Sequence, residues 1–126
     1  MADKAAVGSI GWTDLTVPDA EAVRDFYTRV TGWQAQPLNM GEYSDYVMVA
    51  RDGSGVAGVC HARGSNADLP PQWLVYIVVE DVDAAAAECA RLGGTVVAGP
   101  RPMGGGRFCV IRDPAGAVCA LFAPPE

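Results

Sequence analysis

The sequence predicts an α+β fold built from tandem βαβββ modules. Two observations carry this: strand-type alternation followed by a helix-type stripe and three short strands occurs twice in the same order, and the two halves share local text. Val49-Ala50-Arg51-Asp52-Gly53-Ser54-Gly55 in the first parallels Val110-Ile111-Arg112-Asp113-Pro114-Ala115-Gly116 in the second. A third observation is length, since 126 residues allow one ordinary domain and exclude two full-sized ones. The expected organisation is a single domain over 1–126, with one repeat over 8–63, a connector over 64–71 and a second repeat over 72–124.

The first repeat opens with an alternating stretch, Gly8 to Val17, that runs into a turn at Pro18-Asp19. Val23, Phe26, Tyr27 and Val30 then recur at i, i+3, i+4 and i+7, which predicts a helix over Ala20 to Thr31. Asp19 is placed to cap its start, and Gly32 supplies the left-handed residue beyond its end. Trp33 to Leu38, Asp45 to Arg51 and Gly55 to Ala62 read as strands, separated by Asn39-Met40-Gly41 and Asp52-Gly53-Ser54 turn material. The Gly, Asn and Pro content of Arg63 to Pro71 reads as the connector.

In the second repeat Gln72 to Val79 is a β-branched run. Val82, Ala85, Ala86, Cys89 and Leu92 mark a helix face that Gly93-Gly94 stops, and Thr95 to Ala98, Arg107 to Arg112 and Ala117 to Ala123 follow as strands.

Composition excludes several function classes. Half the residues are hydrophobic and 19% are charged, which is the opposite of the disorder signature. Nine Lys and Arg against fifteen Asp and Glu give a net charge of -6, which offers phosphate backbones nothing to hold, so no nucleic-acid partner is expected. The longest strongly apolar run, Trp73 to Val79, is too short to span a membrane, and the opening Met1-Ala2-Asp3-Lys4-Ala5 shows no export signal. A cytoplasmic protein is expected, with no membrane partner. Cys60, Cys89, Cys109 and Cys119 lack CxxC spacing and stand among apolar neighbours, so they read as small core residues.

Val17-Pro18-Asp19 leading into a helix with Phe26-Tyr27 and ending at Gly32-Trp33, together with the closing Asp113-Pro114-Ala115-Gly116 turn and its last strand, resembles the vicinal oxygen chelate superfamily. This is the glyoxalase, bleomycin-resistance and extradiol-dioxygenase group, and the similarity runs from about Ile10 to Pro124. The resemblance implies a curved mixed sheet enclosing a cup-shaped cavity, with metal ligands at matching strand positions in the enzymatic members. Counting from the turns places Trp12 and Leu74 at the first-strand ligand positions, and Val59 and Ala120 at the fourth-strand ones. None of these side chains binds a divalent ion, so no metal and no cofactor are expected.

Strand alternation puts Leu15 and Val17 beneath the helix and Trp12, Asp14 and Thr16 on the opposite face. The same parity gives Leu74, Tyr76 and Val78 from the second repeat, and Ala57, Val59, His61, Val118, Ala120 and Phe122 from the fourth strands. The candidate ligand-binding set is Trp12, Asp14, Thr16, His61, Leu74, Tyr76 and Phe122. His61, the only histidine, reads either as a hydrogen-bonded structural residue or as a ligand-contacting acid or base, with Asp14 as its partner on the same face. Asp14 reads equally as a core-edge carboxylate, and Trp12 and Tyr76 as packing or as stacking surfaces for a flat or cationic ligand. Gly104-Gly105-Gly106-Arg107 lacks the P-loop ending and reads as a hairpin whose arginine flanks the cup.

Three functions stay open from these residues. One is a metal-free domain that binds or sequesters a small organic molecule, aromatic or cationic, as bleomycin-resistance proteins do. Another is a divergent lyase, isomerase, hydrolase or dioxygenase relative that works through His61 and Asp14 or a recruited metal. The third is a structural partner with a vestigial cup. The resemblance also implies a homodimer.

Overall fold

A computed structural model describes residues 6–125. The element order is β1 (Ile10–Val17), α1 (Ala20–Thr31), β2 (Gln34–Asn39), β3 (Ser44–Val49), β4 (Gly55–His61), a 3-10 turn at Gly64–Asn66, β5 (Trp73–Val78), α2 (Val82–Arg91), β6 (Thr95–Met103), β7 (Gly106–Arg112) and β8 (Val118–Ala123). The α+β class and the repeated βαβββ order follow the sequence pattern. The chain folds as two compact units, one over Thr13–Trp73 and the other combining Met1–Trp12 with Leu74–Glu126.

In the Thr13–Trp73 unit the strand order is β2-β3-β4-β1, with β1 parallel to β4 and the other pairs antiparallel. Helix α1 starts where the Asp19 carboxylate accepts the Ala22 N–H at 3.2 Å. It ends at Gly32, whose φ of 82° no β-carbon tolerates cheaply and whose N–H bonds the Thr28 carbonyl. The expected stripe is only partly buried. Ala20, Val23 and Tyr27 face the sheet, whereas Phe26 and Val30 are 56% and 64% exposed. The reason is geometric: the pleated sheet under a short helix accepts one row at i, i+3 and i+7, and Phe26 is left to pack edge-on against Tyr27 from outside. Trp33 and Trp73 close the row around Tyr27, with the Trp73 indole N–H donating to the Tyr27 hydroxyl at 3.0 Å.

The other unit holds the order β5-β8-β7-β6, with β5 parallel to β8. Asp81 caps α2 through the Ala84 N–H at 3.0 Å, and Val82, Ala86, Cys109 and Leu121 form the core beneath the helix. Leu92, expected on the buried stripe, is 61% exposed because the helix has already ended at Arg91. Strand β6 continues to Met103 instead of stopping at Ala98. Gly99-Pro100 does not end it because β6 lies at the end of this strand order, where a missing N–H is tolerated, and register shifts between Ala98 and Arg101 absorb the irregularity.

All four cysteines are free; Cys109 is buried and the others are half-buried. Burial first, then the neighbouring Cys89 and Cys119 thiols and Asp83, pushes the Cys109 thiol from 9.0 up to about 11. The folded state therefore keeps a proton that the unfolded chain releases, so this stabilisation is complete below about pH 9 and is lost as pH rises toward 11. In reductant, the melting-temperature advantage of wild type over Cys109→Ala should shrink across that window. A constant gap would rule out the linkage.

Candidate functional site

The β1/β4 register decides which side chains share a face. Leu15 pairs with Val59 and Val17 with His61, so Ala57 and Val59 lie on the α1 side in the core with Leu15, Val17, Tyr46 and Met48. Asp14 pairs with Gly58 and Thr16 with Cys60 on the opposite face, and β3 adds Asp45 to that face beside Cys60. The expectation that Ala57, Val59 and His61 share the face of Asp14 is thus corrected by one residue. The cause is a bulge: Met48 pairs with Ala57 but Val49 with Gly55, which leaves Val56 as an extra residue and flips everything after it.

The same bulge moves the fourth-strand position. The turns that correspond in hydrogen bonding are Ala50 to Ser54 and Asp113 to Ala117, and their left-handed glycines are Gly53 and Gly116. Asp14 pairs with Gly58 as Tyr76 pairs with Ala120, so the residue equivalent to Ala120 is Gly58, not Val59.

Asp14, Thr16 and Asp45 are the buried polar residues of this unit, at 8%, 4% and 5% exposure. They surround Cys60, whose thiol is pushed far above its ordinary range, first by burial and then by the Asp14 and Asp45 charges and a hydrogen bond with Asp45. Burial and these charges disfavour its thiolate form. His61 does not pair with Asp14. Its backbone N–H donates to Asp45 Oδ1 at 2.8 Å and its ring Nδ1 lies 3.3 Å from the same oxygen. Asp45 can do this because β4 ends at His61, where the ladder would otherwise leave that N–H unmatched. Tyr43 meets the imidazole edge-on at 5.3 Å and Tyr46 lies 6.2 Å away.

In the other unit Tyr76, Val78, Ala120 and Phe122 share the face away from α2, as alternation predicts. Leu74, two residues from Tyr76, is buried, and Phe122 is half-buried. Phe108 pairs with Phe122 and stacks on Tyr76 with centroids 6.4 Å apart and planes 23° apart, while the Arg101 guanidinium sits 5.1 Å over the Phe108 ring. Trp12 is half-buried near the start of β1. Arg107 is held on the α2 side, where its guanidinium grips both Asp83 oxygens at 2.9 Å. That pair borders a cleft of about 540 Å³ at the start of α2, lined also by Glu80, Asp81, Gly106 and Pro125.

A sequence model of the Glyoxalase/Bleomycin resistance protein/Dioxygenase superfamily matches residues 9–121. The chain belongs to this superfamily. It is 34% identical over 130 residues to the anthracycline biosynthesis protein DnrV of Streptomyces peucetius, covering 93% of the chain and 47% of DnrV. It is 35% identical over 121 residues to the protein CFP32 of Mycobacterium tuberculosis, covering 91% of the chain and 45% of CFP32. The chain thus spans about half the length of these relatives. Among solved structures, methylmalonyl-CoA epimerase from Mycobacterium tuberculosis shares its fold with a TM-score of 0.60 and 16% identity, covering 100% of the chain and 94% of the epimerase. The Mn(II)-bound glyoxalase from Novosphingobium aromaticivorans shares it with a TM-score of 0.57 and 19% identity, covering 95% of the chain and 42% of the glyoxalase.

The metal of the superfamily's enzymes does not fit the residues present here. Trp12, Leu74 and Ala120 stand at three of the ligand positions that the resemblance implies, the register puts Gly58 in place of Val59 at the fourth, and none of them offers a lone-pair nitrogen or oxygen from a side chain. Among the described residues no group of three or more His, Cys, Asp or Glu is placed to hold an ion.

Two functional candidates escaped the sequence. Asp45 carried a signal, an acid in the middle of the apolar-aromatic text Tyr43 to Val49, which is unusual for a strand unless a partner compensates it. The Arg101 and Phe108 pair carried none, because their opposition depends on the β6 register shift.

Proposed function

We propose that the chain is a metal-free domain that binds or sequesters a small aromatic or cationic molecule, acting as a cytoplasmic homodimer. The observation that carries this is the donor-free set Trp12, Gly58, Leu74 and Ala120 at the family's ligand positions. Aromatic area from Trp12, Tyr76 and Phe122 in one unit, and the buried polar groups Asp14 and Thr16 in the other, are the residue types usual in a small-molecule site. A solved neighbour, the Streptomyces coelicolor methylmalonyl-CoA epimerase, is a complex with 2-nitronate-propionyl-CoA, which illustrates small-molecule binding on this fold. Four free thiols suit a reducing compartment. The two repeats, 8–63 and 72–124, are taken as halves of one binding domain. A divergent enzyme is the second reading, favoured by the buried Asp45 beside His61.

The test uses protein purified without added ions. Metal analysis and native mass spectrometry should find no stoichiometric divalent ion, and chelator should leave the melting temperature unchanged. A thermal-shift screen of aromatic and cationic compounds, followed by calorimetry, should yield ligands that bind Trp12→Ala severalfold more weakly, since one stacking ring is worth about 1 kcal/mol. One bound equivalent of metal that chelator strips with loss of stability would overturn the metal-free reading. Equal affinity for a folded Trp12→Ala variant would remove Trp12 from the site.

A further inference from the structure

We propose that Asp45 and His61 form a proton-accepting dyad for the ionisable hydroxyl of a phenol-like ligand, an assignment that rests on the small-molecule-binding reading above. Asp45 is 5% exposed and anchored, because its Oδ1 already accepts the His61 backbone N–H at 2.8 Å. The dyad places the imidazole proton on Nδ1, which lies 3.3 Å from that same oxygen, so that Nδ1 donates and Asp45 accepts. The lone pair is then on Nε2. The His61 side chain is 13% exposed, which shelters the ring yet leaves it reachable.

The surroundings define what Nε2 would meet. Tyr43 and Tyr46 flank the imidazole, and each carries a guanidinium on its ring: Arg63 lies 4.1 Å over Tyr43 and Arg24 lies 4.7 Å over Tyr46. Arg24 also pairs with Asp25 at 2.9 Å, and Arg63 approaches Glu42 at 3.9 Å. Two tyrosine rings favour a flat ligand, and two nearby cations favour an oxygen that becomes negative. In the step, the ligand O–H bond breaks, its proton bonds to His61 Nε2, and the electron pair stays on the ligand oxygen. The resulting imidazolium keeps its Nδ1–H on Asp45. The remaining groups around this cluster are Asp14 and Cys60, beside Asp45 on the opposite sheet face.

The probe is 4-nitrophenol, whose absorbance distinguishes phenol from phenolate, titrated with the full chain at a pH where the free compound is mostly protonated. Wild type should bind it and raise its phenolate fraction severalfold. His61→Gln should bind it without that rise, and Asp45→Asn should show a reduced rise that Asp45→Glu partly restores. Nitrogen-15 spectra of the single histidine in wild type give a check that needs no variant and should show the proton on Nδ1. Bound 4-nitrophenol that stays protonated, or a ring protonated on Nε2 alone, overturns the dyad and leaves the binding reading intact. Failure of 4-nitrophenol to bind while other aromatic compounds do overturns the phenol assignment, and failure of every aromatic and cationic compound overturns both readings.

Discussion

Phe108→Ala should cost about 3–5 kcal/mol of folding stability and lower the melting temperature by on the order of 10 °C or more. Phe108 is 3% exposed, it stacks on Tyr76, and the Arg101 guanidinium lies 5.1 Å above its ring. Truncation removes the buried ring, leaves a cavity, and strips Arg101 of its aromatic partner, a contact worth about 0.5–1 kcal/mol by itself. Phe108→Leu keeps most of the volume and loses the π-face, so it should cost a minor part of the alanine value. Urea unfolding of the three proteins measures both terms. A loss below about 1 kcal/mol for alanine would mean that the ring is not packed as described.

Gly106→Ala is expected to destabilise by about 1–3 kcal/mol or more, although alanine is ordinarily a mild substitution. A β-carbon at Gly106 would clash with the Ala123 carbonyl oxygen and stand 3.0 and 3.2 Å from two Phe122 ring carbons. The carbonyl belongs to the backbone of β8, which pairs with β7 through Arg107 and Ala123, so relief requires moving a strand. Gly55→Ala is the matched control. Its β-carbon would meet only the Val47 Cγ1 at 3.0 Å, and a side-chain methyl can rotate away. Chemical denaturation should show the Gly106 variant losing severalfold more stability than the Gly55 variant. Equal losses would show that the β7/β8 contact is not the constraint.

Local signals carried a large part of this protein into its sequence. The span Ala20–Thr31 was legible to the residue because Asp19 and Gly32 mark its two ends, and capping depends on neighbours a few residues away. The α2 side of the second repeat was legible because β5, β7 and β8 run without a bulge, so simple alternation puts Ile77 and Leu121 under the helix and Tyr76, Ala120 and Phe122 opposite. The absence of ligating side chains at Trp12, Leu74 and Ala120 was likewise readable, since it is a matter of residue identity.

Tertiary pairing decided the rest. One bulged residue between Gly55 and Ala57 inverts the side-chain direction of β4, and no local feature of Gly55-Val56-Ala57 announces it, because the bulge exists only relative to β3. That single inversion sends Val59 into the core, makes Gly58 the counterpart of Ala120, and separates His61 from Asp14. The partner His61 acquires, Asp45, lies 16 residues away and reaches it because β4 ends opposite β3 with an N–H to satisfy. Residue identity and short-range periodicity therefore set the family resemblance and the helices, whereas strand register, which depends on which chains of backbone hydrogen bonds close against each other, sets which side chains share a face.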